Sequence, residues 1–294
     1  MSARGAHSVT PGKAALPTSL SDEALARESM LAQAAIRRHR FVIIGLRIAV
    51  LVTVLGGWEL AADRKWIDPF FYSQPSLIWA QIVDWIRNGT SQGSLWMQVA
   101  VTLEETILGF LIGGVSGIIA GILLGRNKLL SDIFSLYIQI ANSVPRVVLG
   151  SVFVIALGLG MASKVALAVV MVFFVVFGNA FQGVREADKY LIANARILGA
   201  SPRQLTTSVV IPSAMSWILA SLHVSFGFAL VGAVVGEFLG AKQGMGLLIS
   251  TAQGAFNASG VFAAMIVLAV VALVADFLLT RLETRLLKWR PTVF

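Results

Sequence analysis

The chain lacks several residue types and motifs on which enzyme sites and disulfide-rich domains depend. It contains no cysteine, which excludes disulfide bonds and thiolate metal ligands, and it has only three histidines in 294 residues. It has neither a His-Glu-x-x-His zinc motif nor a Gly-x-x-x-x-Gly-Lys-Ser/Thr loop for ATP phosphates. A hydrolase built on His223 would need a serine in a nucleophile turn, and no serine has that context. We therefore predict that the chain is not an enzyme and holds no metal or cofactor of its own.

Charge is also scarce, and apolar residues dominate. Charged residues make up 13% of the chain and hydrophobic residues 57%, with a mean hydropathy of +0.82. This composition is too apolar for a soluble domain. Since about 20 apolar residues cross a bilayer as one helix, we predict an all-α membrane protein. Its six predicted spans are 41–62, 102–125, 133–157, 162–182, 214–239 and 261–280.

The basic residues predict the orientation of the chain. The net charge of +8 could suggest nucleic acid, but Lys and Arg lie at the ends of apolar segments and form no groove-fitting face, so we expect no nucleic-acid partner. Placing both termini in the cytoplasm puts sixteen of the 23 Lys and Arg residues inside and five outside. Residues 1–40 lack the apolar core of a signal peptide. We expect them to form a mobile cytoplasmic tail with a short helix near Ser21 to Arg37.

The longest polar interruption after residue 100 contains two short helices joined at a corner. We call residues 186–213 the elbow. Gly199 suits the left-handed conformation that ends a helix. Ser201 and Gln204 form the two ends of a capping box around Pro202 at the first helical position. Pro212 is expected to limit the second helix. The sequence therefore predicts a rigid, exposed corner that a partner could contact.

The elbow resembles the cytoplasmic "EAA" loop of bacterial ATP-binding cassette (ABC) importer permeases. The match rests on Gly199 followed, after nine residues, by Val209-Val210-Ile211-Pro212. The wider chain, from about 41 to 290, resembles the nitrate, sulfonate and taurine branch. The segments that carry this wider resemblance are Trp58-Glu59-Leu60, Gly158-Leu159-Gly160, Val234-Val235-Gly236-Glu237-Phe238-Leu239-Gly240 and Gly244-Met245-Gly246. One departure stands out: Ala193, Asn194 and Ala195 occupy the Glu-Ala-Ala positions, so the usual acidic residue is missing.

The resemblance implies a fold, a mechanism and a set of partners. It implies the type I importer (MetI-like) arrangement, with residues 41–282 as the permease domain and 283–294 as a basic cytoplasmic tail. It also implies a second copy of this chain, two copies of a separate ATPase that bind ATP and magnesium, and a periplasmic or lipid-anchored binding protein. The chain would work in the bacterial inner membrane, surrounded by lipid. The implied coupling residues are Ala193, Asn194, Ala195, Gly199, Ala200, Ser201, Pro202, Gln204, Leu205, Ile211 and Pro212.

Five glycines recur every fourth residue in the second predicted span. They are Gly109, Gly113, Gly117, Gly121 and Gly125. Because lipid gives helices no hydrophobic reason to associate, such a stripe favours close backbone packing. It predicts a helix contact, either within the subunit or across a dimer axis.

Pro145 is predicted to kink the third span and free a backbone carbonyl near it. Polar residues at similar depth could then border a translocation path, although each alone is more simply explained by hydrogen bonding between helices. Arg146 could attract an anion or reach the headgroups. The candidate path residues are Gln139, Asn142, Ser143, Pro145, Arg146, Asn179 and His223.

The remaining features concern charges and short amphipathic segments. Glu104, Glu105 and Glu237 lie at the outer ends of their spans, where docking of a binding protein and simple solvation are both plausible. Asp276 is expected to pair with Arg281. Trp79 and Trp85 are expected to lie near one another on a helix in the headgroup zone, and a second such segment is expected between Gly244 and Gly260.

We therefore expect the permease subunit of an ABC importer for a small anion such as nitrate, a sulfonate, taurine or a related organic acid. The alternative is a secondary transporter or channel, which would need an ionisable coupling residue deep in the bundle. Arg146 is the candidate that the sequence offers for that role.

Overall fold

The computed structural model describes residues 18–187 and 189–286. Within these ranges it describes all side chains except those of residues 18–36, 142, 189, 282–284 and 286. These residues are almost entirely helical. The α-helices are α1 Thr18–Asp63, α2 Pro69–Tyr72, α3 Pro75–Arg87, α4 Leu95–Arg126, α5 Lys128–Ser143, α6 Leu149–Leu157, α7 Met161–Arg185, α8 Lys189–Ile197, α9 Pro202–Leu205, α10 Ile211–Leu239, α11 Met245–Gly254 and α12 Ala258–Leu286. A 3₁₀ turn, Arg146–Val148, precedes α6, and a π-helical turn, Thr206–Val210, precedes α10.

The chain divides into two compact units, Met1–Arg64 and Lys65–Phe294. In the first unit, α1 is a single helix of 46 residues. The expected short helix near Ser21 to Arg37 is therefore not separate from the first span. The reason is compositional, because Ala, Leu, Glu and Arg favour helix and no glycine or proline interrupts residues 18–44.

Five helices in the described part of the chain are long and apolar enough to cross a membrane. They are Arg37–Asp63, Leu95–Arg126, Met161–Arg185, Pro202–Leu239 and Ala258–Arg281. A sixth crossing is obtained if Lys128–Ala141 and Arg146–Leu157 are taken as one broken span. The predicted set of six is thus reproduced, with the third span broken.

The break in the third span lies at Pro145, as predicted. The helices on its two sides meet at 73°. Pro145 has no N–H and disfavours helical backbone in the residue before it, so α5 ends at Ser143. The Ser143 hydroxyl donates to the carbonyl oxygen of Gln139 at 3.0 Å, which satisfies one carbonyl of the last turn.

The core of the second unit is built around α7. The glycine stripe of α4 packs directly on this helix, so the contact is within the subunit. A Cβ added at Gly109 would lie 2.3 Å from Ala168 Cβ, and one at Gly121 would lie 2.7 Å from Ala180 Cβ. Such distances leave no room for a side chain. The two backbones therefore approach one another along four turns, which is the close packing that small residues permit in a membrane.

α10 packs on α7 in the same way, beside α4. A Cβ at Gly232 would lie 2.6 Å from the Ala168 Cα, and one at Gly183 would lie 2.9 Å from Trp217 Cβ. Ala168, Val172, Val176 and Ala180 are fully buried between the two neighbouring helices. α4, α7 and α10 therefore pack tightly together, and we call these three helices the core layer. The functional segments are attached to them.

Short helices pack against one end of this layer. α3 buries Ile78, Ile82 and Trp85, while Trp79 is 68% exposed. The expected proximity of Trp79 and Trp85 is therefore wrong, since six positions along a helix place two side chains on different faces. α11, Met245–Gly254, lies within the second such segment expected between Gly244 and Gly260, and it buries Met245, Leu248 and Ala252.

Candidate functional site

The elbow contains the predicted corner at Gly199. α8 ends at Ile197, and Gly199 has φ +80°, a left-handed conformation that glycine adopts without strain. The N–H of Gly199 donates to the Arg196 carbonyl at 3.0 Å, and the N–H of Ala200 donates to the Ala195 carbonyl at 3.0 Å. These two bonds satisfy the last carbonyls of α8. The turn chemistry read from the sequence is present.

The capping box of the second helix is also present. The backbone N–H of Ser201 donates to Gln204 Oε1 at 2.8 Å, and the N–H of Gln204 donates to Ser201 Oγ at 3.4 Å. Pro202 occupies the first turn, where its missing N–H leaves no bond unmade. The corner is therefore fixed by bonds between residues close in sequence.

Pro212 does not end the second helix, contrary to the expectation. α9 passes through the π-helical turn Thr206–Val210 into α10, so that Pro202–Leu239 forms a span of 38 residues. The N–H of Ile211 donates to the Thr206 carbonyl, five residues back. A proline ring collides with the carbonyl four residues before it in a regular α-helix, and the wider π turn relieves that collision. The elbow is therefore joined without a break to a core helix.

Much of the elbow is exposed, including its apolar residues. Tyr190 and Ile197 are each 83% exposed and Leu198 is 86% exposed. Within the elbow, Ala193 to Ala195 lie on α8, Gly199 to Ser201 form the corner, and Leu205 and Ile211 are partly buried beside the core. The structure therefore brings all the predicted coupling residues into one continuous element with an apolar corner facing outward.

The predicted path residues are only partly brought together. Gln139 and Ser143 lie exposed on α5, Pro145 begins the 3₁₀ turn, and the Arg146 guanidinium lies 5.0 Å from the centre of the Phe174 ring on α7. The amide of Asn179, also on α7, donates to the Val175 carbonyl of its own helix. The side chain of Asn142 lies outside the described residues.

His223 lies apart from this group. Its Nε2 is 2.9 Å from Asp276 Oδ1, and both residues line a cavity of about 330 Å³ whose walls come from α10 and α12. Asp276 therefore pairs with His223 and not with Arg281, whose guanidinium lies over the Phe277 ring. The reason is geometric, because positions 276 and 281 point to different sides of one helix.

A second polar site, unexpected from the sequence, lies at the opposite end of α10. Glu237 is fully buried there, where solvation or docking had been expected. Its Oε1 accepts from the Thr102 hydroxyl at 2.7 Å, and its Oε2 accepts from the Gly246 N–H at 2.7 Å. Gln98 Oε1 accepts from the Gly244 N–H at 2.7 Å, and Thr102 Oγ1 accepts from the Met245 N–H at 2.9 Å. We call these side chains and the start of α11 the clamp.

The glycines of the clamp are required for space. Gly244 has φ +115°, and a Cβ there would lie 2.2 Å from the Glu237 carboxylate. A Cβ at Gly246 would lie 2.3 Å from the Val234 carbonyl oxygen. The clamp thus holds three consecutive N–H groups of the chain against buried acceptors. The signal available in the sequence was Glu237 in a span followed by Gly-Met-Gly, since a buried carboxylate needs donors that approach closely.

Two further buried ionisable residues adjoin the clamp. Lys164 is 1% exposed, and its ammonium donates to the carbonyl oxygens of Leu159 at 2.6 Å and Gly160 at 3.0 Å. Glu105 is 3% exposed. Neither residue is available to solvent, so solvation and docking, both considered for Glu105, are excluded for its side chain. Lys164 lies in the first turn of α7, and Glu105 lies on α4.

Known proteins similar to this chain share one role. A family model described as "Binding-protein-dependent transport system inner membrane component" matches residues 113–288. SsuC of Bacillus subtilis, described as an aliphatic sulfonates transport permease protein, is 33% identical over 198 residues, covering 67% of this chain and 72% of SsuC. TauC of Escherichia coli, a taurine transport system permease protein, is 27% identical over 251 residues, covering 85% of this chain and 91% of TauC.

A solved structure has the same fold. In inward-facing conformations of the MetNI methionine ABC transporter, one chain matches with a TM-score of 0.57 at 20% identity, covering 64% of this chain and 95% of that chain. The predicted all-α, MetI-like fold is therefore confirmed, while the cytoplasmic placement of both termini stays a prediction. This chain belongs to the family of binding-protein-dependent transport system inner membrane components, and it is a multi-pass membrane permease of the ABC importer type, on the sulfonate and taurine branch.

Proposed function

We propose that the chain forms the solute pathway of an ATP-driven importer and that its elbow docks onto a separate ATPase on the cytoplasmic side. The observation that carries this proposal is the exposed apolar corner at Ile197 and Leu198, held by a turn that needs no other part of the chain. Apolar residues exposed together on a stiff, otherwise polar segment favour a protein partner. An ATPase with bound ATP and magnesium supplies the energy, and this chain supplies none.

The structure suggests how force passes from the elbow to the membrane. α9, the π-helical turn and α10 follow one another without a break, and α10 packs on α7 through Gly183 and Gly232. A displacement of the elbow is therefore carried by one helix into the core layer. Alternating access follows when two such elbows, from two copies of the chain, are drawn together and released by ATP binding and hydrolysis. A periplasmic or lipid-anchored binding protein delivers the solute from outside.

The pathway is proposed to run between two copies, beside α10 and α12. Asp276 is 59% exposed on the membrane-spanning helix α12. A carboxylate on such a helix is unfavourable against hydrocarbon and needs water or another chain beside it. This supports a water-filled path on that face. The path residues proposed from the sequence, with Arg146 as the cation nearest to the break in the third span, remain candidates for contact with the solute.

The proposed solute is a small anion of the sulfonate, taurine or nitrate type. Support comes from the names of SsuC and TauC and from the Arg146 guanidinium on the 3₁₀ turn. Ligand binding to the binding protein that works with this chain identifies the solute directly. Uptake of that solute into vesicles then tests the permease.

The His223–Asp276 pair favours a second candidate function, transport driven by an ion gradient. It is an ionisable pair within the membrane helices, which a proton-coupled transporter needs. Uptake that is abolished by a proton uncoupler, and unaffected when the ATPase is removed, would establish this alternative. Uptake that needs the ATPase and survives the uncoupler supports the importer.

The elbow itself is tested at Gly199. Valine strains the left-handed backbone, whereas asparagine tolerates it. We expect Gly199→Val to insert normally in the membrane but to lose ATPase assembly and uptake, and Gly199→Asn to retain most of both. Membrane amount, co-purification of the ATPase and uptake are measured for each variant. Full uptake by the valine variant would contradict the coupling role.

A further inference from the structure

A basic cavity lies behind the elbow, where it meets the core helices. Its volume is about 650 Å³. Four cationic side chains line it, and they come from four different helices: the end of α4, the start of α5, the end of α7, and α8. They are Arg126, Lys128, Arg185 and Arg196. Cations of the elbow and of the membrane helices therefore face the same cavity.

The cations have little compensation within the described chain. No Asp or Glu is among the described residues that line the cavity. Arg185 donates to the buried Ser131 hydroxyl at 3.3 Å and lies 5.5 Å from the Phe181 ring. Among the side chains that the structure describes, none forms an ion pair with Arg126, Lys128 or Arg196. Like charges that share a cavity repel one another, so an anion that enters it is stabilised.

The position of the cavity indicates the kind of anion. Arg126 and Arg185 are the last residues of two membrane-spanning helices, so the cavity lies at the level of the lipid headgroups. Beside it, the apolar side chains of Leu123, Leu129 and Ile133 are 50–68% exposed. A ligand that fits both surfaces carries a negative headgroup and an attached hydrocarbon chain. Basic pockets between helices at a membrane surface bind phospholipid headgroups in this way.

We propose that this cavity binds the phosphate headgroup of an anionic phospholipid. Arg126, Arg185 and Arg196 surround the phosphate, Lys128 lies at the rim, and the acyl chains lie along α4 and α5. The bound lipid links the elbow to the core layer and neutralises the repulsion among the four cations. Lipid binding is a property of the permease by itself and holds whether or not the elbow docks an ATPase.

The test uses the purified full-length permease in a neutral detergent and added dioleoylphosphatidylglycerol. Native mass spectrometry counts bound lipid, and a titration gives its affinity. The double variant Arg126→Gln/Arg196→Gln removes cations from two walls of the cavity. The control Arg203→Gln/Arg285→Gln removes two exposed cations that do not line it. We expect about 30-fold weaker binding in the first variant and little change in the second.

Three comparison ligands and conditions define the other outcomes. Dioleoylphosphatidylcholine, which has a phosphate but no net charge, is expected to bind more weakly. Displacement of the lipid by millimolar inorganic phosphate would overturn the lipid assignment in favour of a free anion. Lipid that is expelled when the ATPase binds would overturn it in favour of an acidic protein surface. Equal losses in the cavity and control variants would show that general surface charge is responsible and would also overturn it.

If the double variant does not elute as one species, a single substitution tests the proposal instead. Lys128→Gln, at the exposed start of α5, is then measured against Arg203→Gln. We expect about fivefold weaker binding of phosphatidylglycerol for Lys128→Gln only. Unchanged binding would contradict the proposal.

Discussion

The elbow and the clamp both turn at a glycine with positive φ, yet the two glycines are needed for different reasons. A Cβ at Gly199 would meet nothing within 4 Å, whereas a Cβ at Gly244 would lie 2.2 Å from the Glu237 carboxylate. The elbow therefore needs glycine only for its backbone conformation. The clamp needs it for space as well, because a buried carboxylate occupies the position that a side chain would fill.

The two regions also differ in what completes them. The clamp satisfies its N–H groups and carboxylate with residues from α4, α10 and α11 of the same chain. The elbow satisfies its backbone with residues close in sequence and leaves Ile197 and Leu198 exposed. A region that is complete in one chain contributes stability, while a region that is stiff but uncovered is suited to a partner. Substitutions in the clamp should therefore lower stability, and those in the elbow should lower coupling.

The largest expected effect comes from filling the space in the clamp. Gly244→Val introduces a side chain at φ +115° against the Glu237 carboxylate. Backbone strain and overpacking each cost about 1–3 kcal/mol, so we expect little folded permease to accumulate. The amount of protein that extracts as a single species is measured against Gly254→Val, at the end of α11, where a Cβ meets nothing within 4 Å. Similar yields for the two variants would show that the clamp is not closely packed.

The next largest loss of stability is expected when one acceptor oxygen of Glu237 is removed and the side-chain volume is kept. Glu237→Gln has the same shape, but its amide nitrogen cannot accept the bond from Thr102 or from the Gly246 N–H. One buried donor is left without an acceptor, which costs about 2 kcal/mol. Thermal unfolding in detergent should show a lower midpoint than for wild type. Glu104→Gln, on the exposed side of α4, serves as the control, and an equal shift in that variant would contradict the assigned role of Glu237.

A smaller loss is expected along the glycine stripe. Gly117→Ala places a Cβ 2.9 Å from the Phe173 carbonyl oxygen, so α4 and α7 must move apart slightly. We expect destabilisation of about 1–2 kcal/mol. Gly178→Ala, on α7 in open space, makes the same change without a clash and is the matched control for helix propensity. If Gly117→Ala unfolds at the same temperature as this control, the stripe is not a close contact.

The smallest effect on stability is expected in the elbow. Ser201→Ala removes the hydroxyl that accepts from the Gln204 N–H. Loss of such a cap costs about 1 kcal/mol locally, and the core does not depend on it. Thermal unfolding should therefore be unchanged, while ATPase stimulation in the assembled importer falls. A fall in the unfolding midpoint with unchanged coupling would reverse the comparison between the elbow and the clamp.

Local chemistry was readable from the sequence, and contacts distant in sequence were not. The corner at Gly199 and the Ser201–Gln204 box follow from residues within four positions of one another, and the broken span follows from Pro145 alone. The glycine stripe of α4 predicted a close helix contact, but the sequence did not indicate that α7 is the partner, because several other helices could pack against it. The prediction that Pro212 limits the helix was wrong, because the wider π turn that accommodates this proline leaves no simple pattern in the sequence.

The buried charges show the same limit. Glu237 resembles an exposed residue at the end of a span, because a charge in the sequence gives no sign of its distant partners. Its carboxylate accepts hydrogen bonds from the Gly246 N–H and the Thr102 hydroxyl, and Thr102 in turn accepts from the Met245 N–H. No side-chain pattern reveals backbone donors of this kind. The His223–Asp276 pair joins helices 53 positions apart in the chain and was missed for a similar reason. Pairing over such distances depends on how the helices pack, which composition and periodicity do not specify.

The most direct test of the coupling role is whether the exposed corner becomes covered in the assembled importer. Because the chain has no cysteine, Leu198→Cys gives a single reactive site at a residue that is 86% exposed. We predict rapid maleimide labelling of the permease alone and strong protection when the ATPase is bound, with Tyr72→Cys labelled equally in both states. Equal labelling of Leu198→Cys with and without the ATPase would contradict docking at the elbow.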